Sequence, residues 1–160
     1  MPRRPALKPE DMLTPEQMAT LSGREMLEKT LTGEVAAPPI SHTLNFGLHA
    51  VGDGEATFRG TPQFASFNPA GTAHGGWFGA ILDSAMACAI WTKCAPGQAF
   101  TTLEYKVNIT RVVPEGMEVE VIARTTHFGH KTAVSDAIMR GVEDGKVYAT
   151  GSTTCIAIGV

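Results

Sequence analysis

Residues 67–93 read FNPAGTAHGGWFGAILDSAMACAIWTK. A loop rich in Pro and Gly runs into a helix of Gly, Ala, Ser, Cys and medium apolar residues. Such a helix is apolar nearly all round and needs cover on most of its faces. Asp83 sits in its middle, nine residues after His74 of a His74-Gly75-Gly76 turn. A polar group buried there without a partner costs roughly 2–7 kcal/mol, and an ionised one more. Its own helix offers no partner, because Gly79, Ala80, Met86 and Ala87 occupy the adjacent turns. The acid must therefore reach water, be paired from elsewhere, or line a functional cavity.

The surrounding sequence sets the cover. Residues 1–12 are expected to pack loosely. Thr14-Pro15-Glu16-Gln17 is a helix start, with Thr as N-cap, Pro at the first helical position and Gln three residues after the cap. That helix is expected to reach about Leu31 and stop at Gly33, although Gly23 weakens it, and Ala36-Ala37-Pro38-Pro39 reads as a linker. From Ile40, apolar and polar residues alternate around Gly52-Asp53-Gly54, a hairpin signal. After the quoted helix come four β-like runs, 100–110, 117–127, 132–140 and 147–158, joined by short turns that imply antiparallel neighbours. The fold class predicted is α+β: a long central helix wrapped by one curved antiparallel sheet, with an extra N-terminal helix. Residues 1–35 form an arm and helix, and residues 36–160 the main domain. Gly76, Gly79, Ala80 and Ala87 are expected to let strands approach closely.

Composition narrows the partners. The 160 residues are 43% hydrophobic and 18% charged with a net charge of −3, so no basic field suits nucleic acid. No apolar run approaches a membrane span, and the N-terminus lacks the apolar core of a signal peptide. Cys88, Cys94 and Cys155 form no CxxC pair and read as small core residues in a reducing, cytoplasmic setting. Serine-hydrolase, zincin, P-loop and dinucleotide signatures are all missing. The five histidines are scattered, and no metal site is expected.

A chemistry remains. A helix starting near Gly75 presents unpaired backbone N–H groups and the positive end of its dipole, a seat for a developing oxyanion that glycine leaves open to a substrate carbonyl. The bland alternative is a glycine pair that only makes a tight turn. Asp83 lies eight residues beyond Gly75, about 12 Å along the axis, so the two cannot act on one carbonyl within one subunit. Two copies packed around a two-fold axis could bring Gly75 of one to Asp83 of the other. The reading therefore predicts a homodimer with composite sites.

Residues 68–85, NPAGTAHGGWFGAILDSA, resemble the signature of the hot-dog-fold acyl-CoA thioesterases of the phenylacetate-pathway (PaaI-like) and 4-hydroxybenzoyl-CoA type. TTLEYKVNITRVVPEG (101–116) is similar to that family's central strand, and GHKTAVSDAIMRGVEDGKVYATGSTT (129–154) to its last hairpin. The resemblance covers residues 40–158. It implies a hot-dog subunit that dimerises and often doubles to a tetramer, and that hydrolyses acyl-CoA thioesters without metal or organic cofactor. It assigns Asp83 as general base or nucleophile, the Gly75 N–H as oxyanion donor, and His74 as a residue near the carbonyl or holding the loop. Asn68 would stand near thioester and water, and Thr102 would help to position that water. Gly76 and Trp77 would meet the acyl part, with Trp77 bulkier than the pattern expects. Arg111, His130 and Lys131 are the CoA candidates, set against a reading as solvated charges.

Two other functions compete. A non-catalytic acyl-CoA-binding hot-dog module would bind without turnover, and Asp83, Asn68 and Thr102 together count against it. A hydratase or dehydratase of acyl thioesters would need a differently spaced histidine and acid. Trp77, Phe78, Phe64 and Phe67 suggest room for an aromatic or short-to-medium acyl group without naming it. The extra N-terminal helix is left two roles, capping the acyl pocket or covering a sheet edge.

Overall fold

The computed structural model describes residues 4–159. Four helices, α1 (Pro15–Thr20), α2 (Gly23–Thr32), α3 (Pro39–Thr43) and α4 (Gly75–Trp91), accompany six strands. The strands are β1 (Phe46–Gly52), β2 (Glu55–Gly60), β3 (Gln98–Ile109), β4 (Val119–Phe128), β5 (Thr132–Gly141) and β6 (Val147–Gly159). They form one antiparallel sheet in the order β1-β2-β4-β5-β6-β3, with α4 packed across its concave face. This is the hot-dog fold. No helix among the described residues is long and apolar enough to cross a membrane.

The sequence of α4 divides it into two faces by side-chain size rather than by polarity. Trp77, Phe78, Ile81, Leu82, Ala85, Met86, Ala89 and Ile90 are all buried. Their spacing in adjacent pairs every four residues lays two columns against the sheet. All but Ile90 meet Phe46, Phe58, Val119, Val121 and Met139 from the strands in the main core, and Ile90 joins Phe100, Ala133 and Cys155 in a second cluster. Ala80, Asp83, Ser84, Ala87, Cys88 and Trp91 occupy the other side and are only half-buried. Of the small residues expected to admit strands, Gly79 lies under Tyr105 of β3, where an added Cβ would sit 3.0 Å from the phenol oxygen. Ala87 instead faces a cavity.

The N-terminal region departs from expectation in three ways. The predicted helix over 14–31 is two helices. Thr14 and Gln17 cap α1, then Ser22 and Glu25 form a second capping box that starts α2 after the extended residue Leu21. Gly33 ends α2 in the left-handed conformation, φ 84°, as the sequence predicts. Of the arm expected to be loose, residues 1–3 lie outside the described residues and 4–6 are docked: Ala6 N–H donates to the Ala37 carbonyl at 2.9 Å, and Ala37 N–H to that of Arg4 at 2.7 Å, while residues 7–10 are exposed. The expected linker at 36–39 carries buried Ala36 and Ala37, and Pro39 opens α3.

At one margin of the sheet, β3 pairs with β6 alone among the described residues. Apart from Ala99 and Phe100, its residues are half-buried or exposed, with Leu103, Tyr105 and Ile109 about half or more accessible. A twelve-residue strand with one bare edge and apolar side chains is a ready template for a further strand.

Candidate active site

Asp83 emerges from the small-residue face of α4, half-buried. Its Oδ1 accepts a hydrogen bond from the Thr102 hydroxyl at 2.8 Å, the one side-chain bond it makes among the described residues. Thr102 belongs to β3, where the register against β6 slips between Thr102 and Glu104. The extra residue, Leu103, is 61% exposed, while Thr102 turns inward. A bulge beside a polar site is a common way to re-aim one side chain. Loss of hydration raises the Asp83 carboxyl above its ordinary range, and the Thr102 bond partly offsets this by favouring the carboxylate.

The acid looks into a cavity of about 460 Å³. Ser84, Ala87, Cys88 and Trp91 continue the lining along α4 from Asp83. Leu48 and Phe58 close it from the hairpin. Cys88, expected in the core, packs against it and also borders this chamber; its thiol is pushed up to about 12 by loss of hydration and by the Asp83 carboxylate. Cys94 and Cys155 are buried core residues, and all three cysteines are free.

The other end of α4 is built by its cap. His74 is the N-cap; its Nδ1 accepts from Gly76 N–H at 2.8 Å and its carbonyl from Trp77 N–H at 2.9 Å. The Nδ1 bond leaves Nε2 as the ring nitrogen that can donate. It also removes Gly76 N–H as a donor to substrate, whereas Gly75 N–H, the first of the helix, has no acceptor among the described residues. Asn68 shapes the preceding loop: its Oδ1 accepts from Ala70 and Thr72 N–H and its Nδ2 donates to the Thr72 hydroxyl. These three bonds stay within residues 68–72.

The structure thus brings together Asp83 with Thr102, and His74 with Gly75 and Gly76, as two separate groups. The Cβ position of Gly75 lies 3.6 Å from Ile109 Cδ1, near the end of β3, while Thr102 lies toward its start. Arg111 follows that end, its N–H donating to the Tyr148 carbonyl at 3.2 Å. His130 and Lys131 sit in the turn between β4 and β5, whose first paired residue, Thr132, lies opposite Ile156, itself opposite Thr101. The three CoA candidates are all exposed but occupy opposite ends of the sheet. Trp77 does not meet the chamber. It is 2% exposed, stacks edge-on to Phe78, and donates its Nε1–H to the Leu44 carbonyl at 2.8 Å, so its bulk serves the core. Phe78 is likewise core, and Phe64 is on the surface.

Sequence reasoning left the N-terminal helix the role of capping the acyl pocket or covering a sheet edge, but did not single out Met18, Met26, Leu27 and Thr30, by which α1 and α2 line this chamber. It also passed over Ser84, Ala87, Cys88 and Trp91. Those four stand one, four, five and eight positions beyond Asp83, a helical stripe readable once Asp83 is singled out.

Residues 70–148 match the family profile described as Thioesterase superfamily. Among solved structures, a phenylacetic acid degradation-related protein from Ralstonia eutropha, described as a putative thioesterase, is 26% identical with TM-score 0.74, the match covering 82% of this chain and 98% of that one. A variant of the phenylacetic acid degradation protein PaaI from Thermus thermophilus is 26% identical with TM-score 0.67, over 74% and 97%. A hypothetical thioesterase from Streptococcus pneumoniae, solved with coenzyme A, is 21% identical with TM-score 0.65, over 72% and 87%, and shares the fold. No curated protein is significantly similar to the chain. The matched segment, just under half of the chain, holds His74, Gly75, Asp83 and Thr102 together, and with the hot-dog fold it makes this chain similar to the thioesterase superfamily.

Proposed function

We propose that the protein hydrolyses acyl-CoA thioesters at a composite site, with Asp83 and Thr102 from one copy and the Gly75 N–H from another. The observation that carries the reading is Asp83 itself. It is a half-buried carboxylate with one donor, on the rim of an apolar chamber, in a thioesterase-superfamily segment. The choice of CoA as carrier is supported by the fold relative solved with it.

Within one subunit Gly75 and Asp83 are about 12 Å apart along α4. An antiparallel pairing of β3 with the β3 of a second copy supplies the missing half. The Ile109 end of one strand then lies beside the Thr102 end of the other. Gly75 and Arg111 of one copy come to the same side as Asp83, His130 and Lys131 of its mate. The same pairing covers the bare β3 edge, and it gives the three CoA candidates a common location that no single subunit offers. Doubling of such dimers to a tetramer is compatible with it.

In the reaction, the thioester carbonyl oxygen faces the Gly75 N–H and the acyl group enters the chamber. Asp83 either takes a proton from water as the hydroxide adds to the carbonyl carbon, or adds to it directly. In both routes the negative charge collects on the carbonyl oxygen, where a fixed N–H dipole stabilises it. The C–S bond then breaks and the CoA thiolate leaves, taking up a proton. The direct route forms an acid anhydride with Asp83, which water hydrolyses. Single turnover in 18O-water separates them, since only the direct route can place the label in the Asp83 carboxyl. Partial desolvation suits either role, because a carboxylate that has lost hydration is the stronger base and nucleophile.

The first test is free-thiol release from acetyl-, hexanoyl-, lauroyl-, phenylacetyl- and hydroxybenzoyl-CoA, with wild type beside Asp83→Asn. A fall of at least a hundredfold in a folded variant supports the assignment. Binding with no turnover of any thioester would instead make the protein an acyl-CoA sensor or carrier. The composite site has its own test. Gly75→Pro removes the oxyanion N–H at the first helical position, where proline is tolerated, and His74 already has the extended backbone (φ −65°, ψ 144°) that a following proline requires. Gly75→Pro and Asp83→Asn proteins should each be inactive. Reassociated in equal amounts, they should regain about a quarter of wild-type activity, because half the dimers are mixed and each mixed dimer holds one intact site. No recovery in demonstrably mixed dimers would place both groups in one subunit and refute the arrangement.

A further inference from the structure

The chamber beside Asp83 has two unlike sides. On one, α4 presents the small side chains Ser84, Ala87 and Cys88; on the other stand Met12, Leu13 and Met18, with Met26 and Leu27 from α2. This second side comes entirely from residues that precede the superfamily match. It is fixed in place rather than draped. Gly23 lies so close to the end of α4 that an added Cβ would meet the Trp91 carbonyl oxygen. Gly23 N–H donates to the Cys94 carbonyl at 3.1 Å, and Gly97 N–H to that of Met18 at 3.2 Å. The corner at Leu21–Ser22 is what allows Met18 of α1 and Met26 of α2 to border the same space. A single straight helix would carry them eight residues, about 12 Å, apart along one axis.

The chemistry of this wall is restrictive. Among the described residues Asp83 is the only charged one lining the chamber. The Thr30 hydroxyl donates to the Met26 carbonyl and that of Ser84 to the Ala80 carbonyl, at 3.0 and 2.8 Å. Ser41, 3% exposed, also lines the space, and its hydroxyl has no partner among the described residues. A carboxylate carried in on the acyl group would find no counter-charge there and would lie near a second negative charge. A single neutral polar substituent could be met by Ser41. The volume suits a ligand well beyond acetyl, since ordinary small-molecule sites begin at about 300 Å³.

We infer that residues 12–41 are a built-in acyl-binding wall that restricts the substrate to alkyl or aryl acyl groups without a carboxylate of their own, with Met18, Met26 and Leu27 setting their size. The inference rests on the reading of Asp83 as the thioesterase acid, because it takes the chamber as the acyl site. The thioether behaviour of Met, unbranched and adaptable, suits a wall that closes on chains of different shape.

The test measures binding as well as turnover. Calorimetry on Asp83→Asn protein would use CoA, acetyl-, butyryl-, octanoyl-, phenylacetyl- and glutaryl-CoA. Affinity should rise about fourfold for each methylene that enters the chamber, and glutaryl-CoA should bind at least tenfold more weakly than butyryl-CoA. Two further variants attack opposite sides. Leu13→Ala/Met18→Ala opens the wall at half-exposed positions, where no sealed void is left, and should lower the octanoyl-to-acetyl affinity ratio about tenfold. Ala87→Phe fills the chamber from α4 and should remove the octanoyl preference. Affinity independent of acyl length, glutaryl-CoA bound as well as butyryl-CoA, or an unchanged ratio in folded Leu13→Ala/Met18→Ala would overturn the inference. The acyl-length pattern with no turnover by wild type would overturn the thioesterase reading alone; turnover without the pattern would overturn the wall alone.

Discussion

Gly23→Ala sets two opposed effects against each other, and the structure says which wins. By helix propensity the change should help, since replacing Gly in a helix interior with Ala gains roughly 0.5–1 kcal/mol, and less at a first helical position. Its backbone carries no left-handed strain that would forbid a side chain. Packing argues the other way. A Cβ at this position falls 2.0 Å from the Trp91 carbonyl oxygen and 3.3 Å from the Cys94 Cβ. The obstacle is backbone at the end of α4, with no flexible side chain to move aside.

To restore even a tight 3.0 Å contact, α2 must withdraw from α4 by about 1 Å. That displacement breaks the 3.1 Å bond from Gly23 N–H to the Cys94 carbonyl, about 0.5–1.5 kcal/mol. Overpacking adds about 1–3 kcal/mol. After the propensity gain, the net loss is about 1–4 kcal/mol. For a chain of 160 residues, 1 kcal/mol corresponds to roughly 3 °C in Tm. Thermal unfolding followed by circular dichroism, at fixed protein concentration, should therefore show a midpoint about 3–12 °C lower. Glu28→Ala, an exposed change on the same helix, should move it by no more than about 2 °C. The wall shifts with α2, so thiol release from octanoyl-CoA should lose more in kcat/KM than release from acetyl-CoA. A midpoint equal to or above wild type would show that propensity outweighs packing, and that α2 is not seated against Trp91.

Three further outcomes are expected of the site and its surroundings. Burial raises the Asp83 carboxyl above the 3.8 of an unfolded chain, so the native state binds more protons and wild type loses stability as pH rises from there through the native value. Asp83→Asn has no such loss, so its Tm advantage should grow across that window and then level off; a constant difference would refute the burial cost. Thr102→Val removes the donor that favours the carboxylate, so the acid limb of the kcat/KM profile should move to higher pH, and an unmoved limb would show that the 2.8 Å bond does not tune the acid. Trp77→Phe forfeits the bond to the Leu44 carbonyl and some core volume, costing about 2 kcal/mol or more. It should leave the ranking of acyl-CoA substrates unchanged, and a reordered ranking would return Trp77 to the site.

Much of the fold is legible from short-range signals. Turn residues between alternating runs give the succession of strands, and the Thr14/Gln17 box and Gly33 give helix ends. The break at Leu21–Ser22 is also written in the chain, because Ser22 and Glu25 satisfy the same capping pattern. Treating Gly23 as a mere weakness hides it, when glycine there serves close approach to Trp91. Asp83 stands out because an acid on a small-residue helix has no cheap bland explanation. Its partner Thr102 is reached only through the family resemblance, since it is 19 residues away and only the slip in β3 turns it inward. Trp77 misleads because an aromatic beside a glycine turn suits a ligand and a core equally well. Only the position of the Leu44 carbonyl decides between them.

The two faces of α4 explain how one helix can carry an acid and still hold the fold together. The sheet side is filled by large apolar residues, so the small-residue side is free to border a chamber. On the proposed reading, the same helix serves two sites at once: its middle provides the acid for one, and its first N–H completes the other. The acyl wall then belongs to the chain that provides Asp83, whereas the oxyanion donor comes from its mate. Selection and charge stabilisation thus reside in different chains of each site. In a mixed dimer with one intact site, acyl preference should therefore follow the α1–α2 wall of the subunit with intact Asp83. Leu13→Ala/Met18→Ala placed in the Gly75→Pro chain should lower the octanoyl-to-acetyl ratio of the restored activity, and the same pair in the Asp83→Asn chain should not. The opposite assignment would mean that the chamber of one chain serves the acid of the other, and the geometry of the dimer would have to be redrawn.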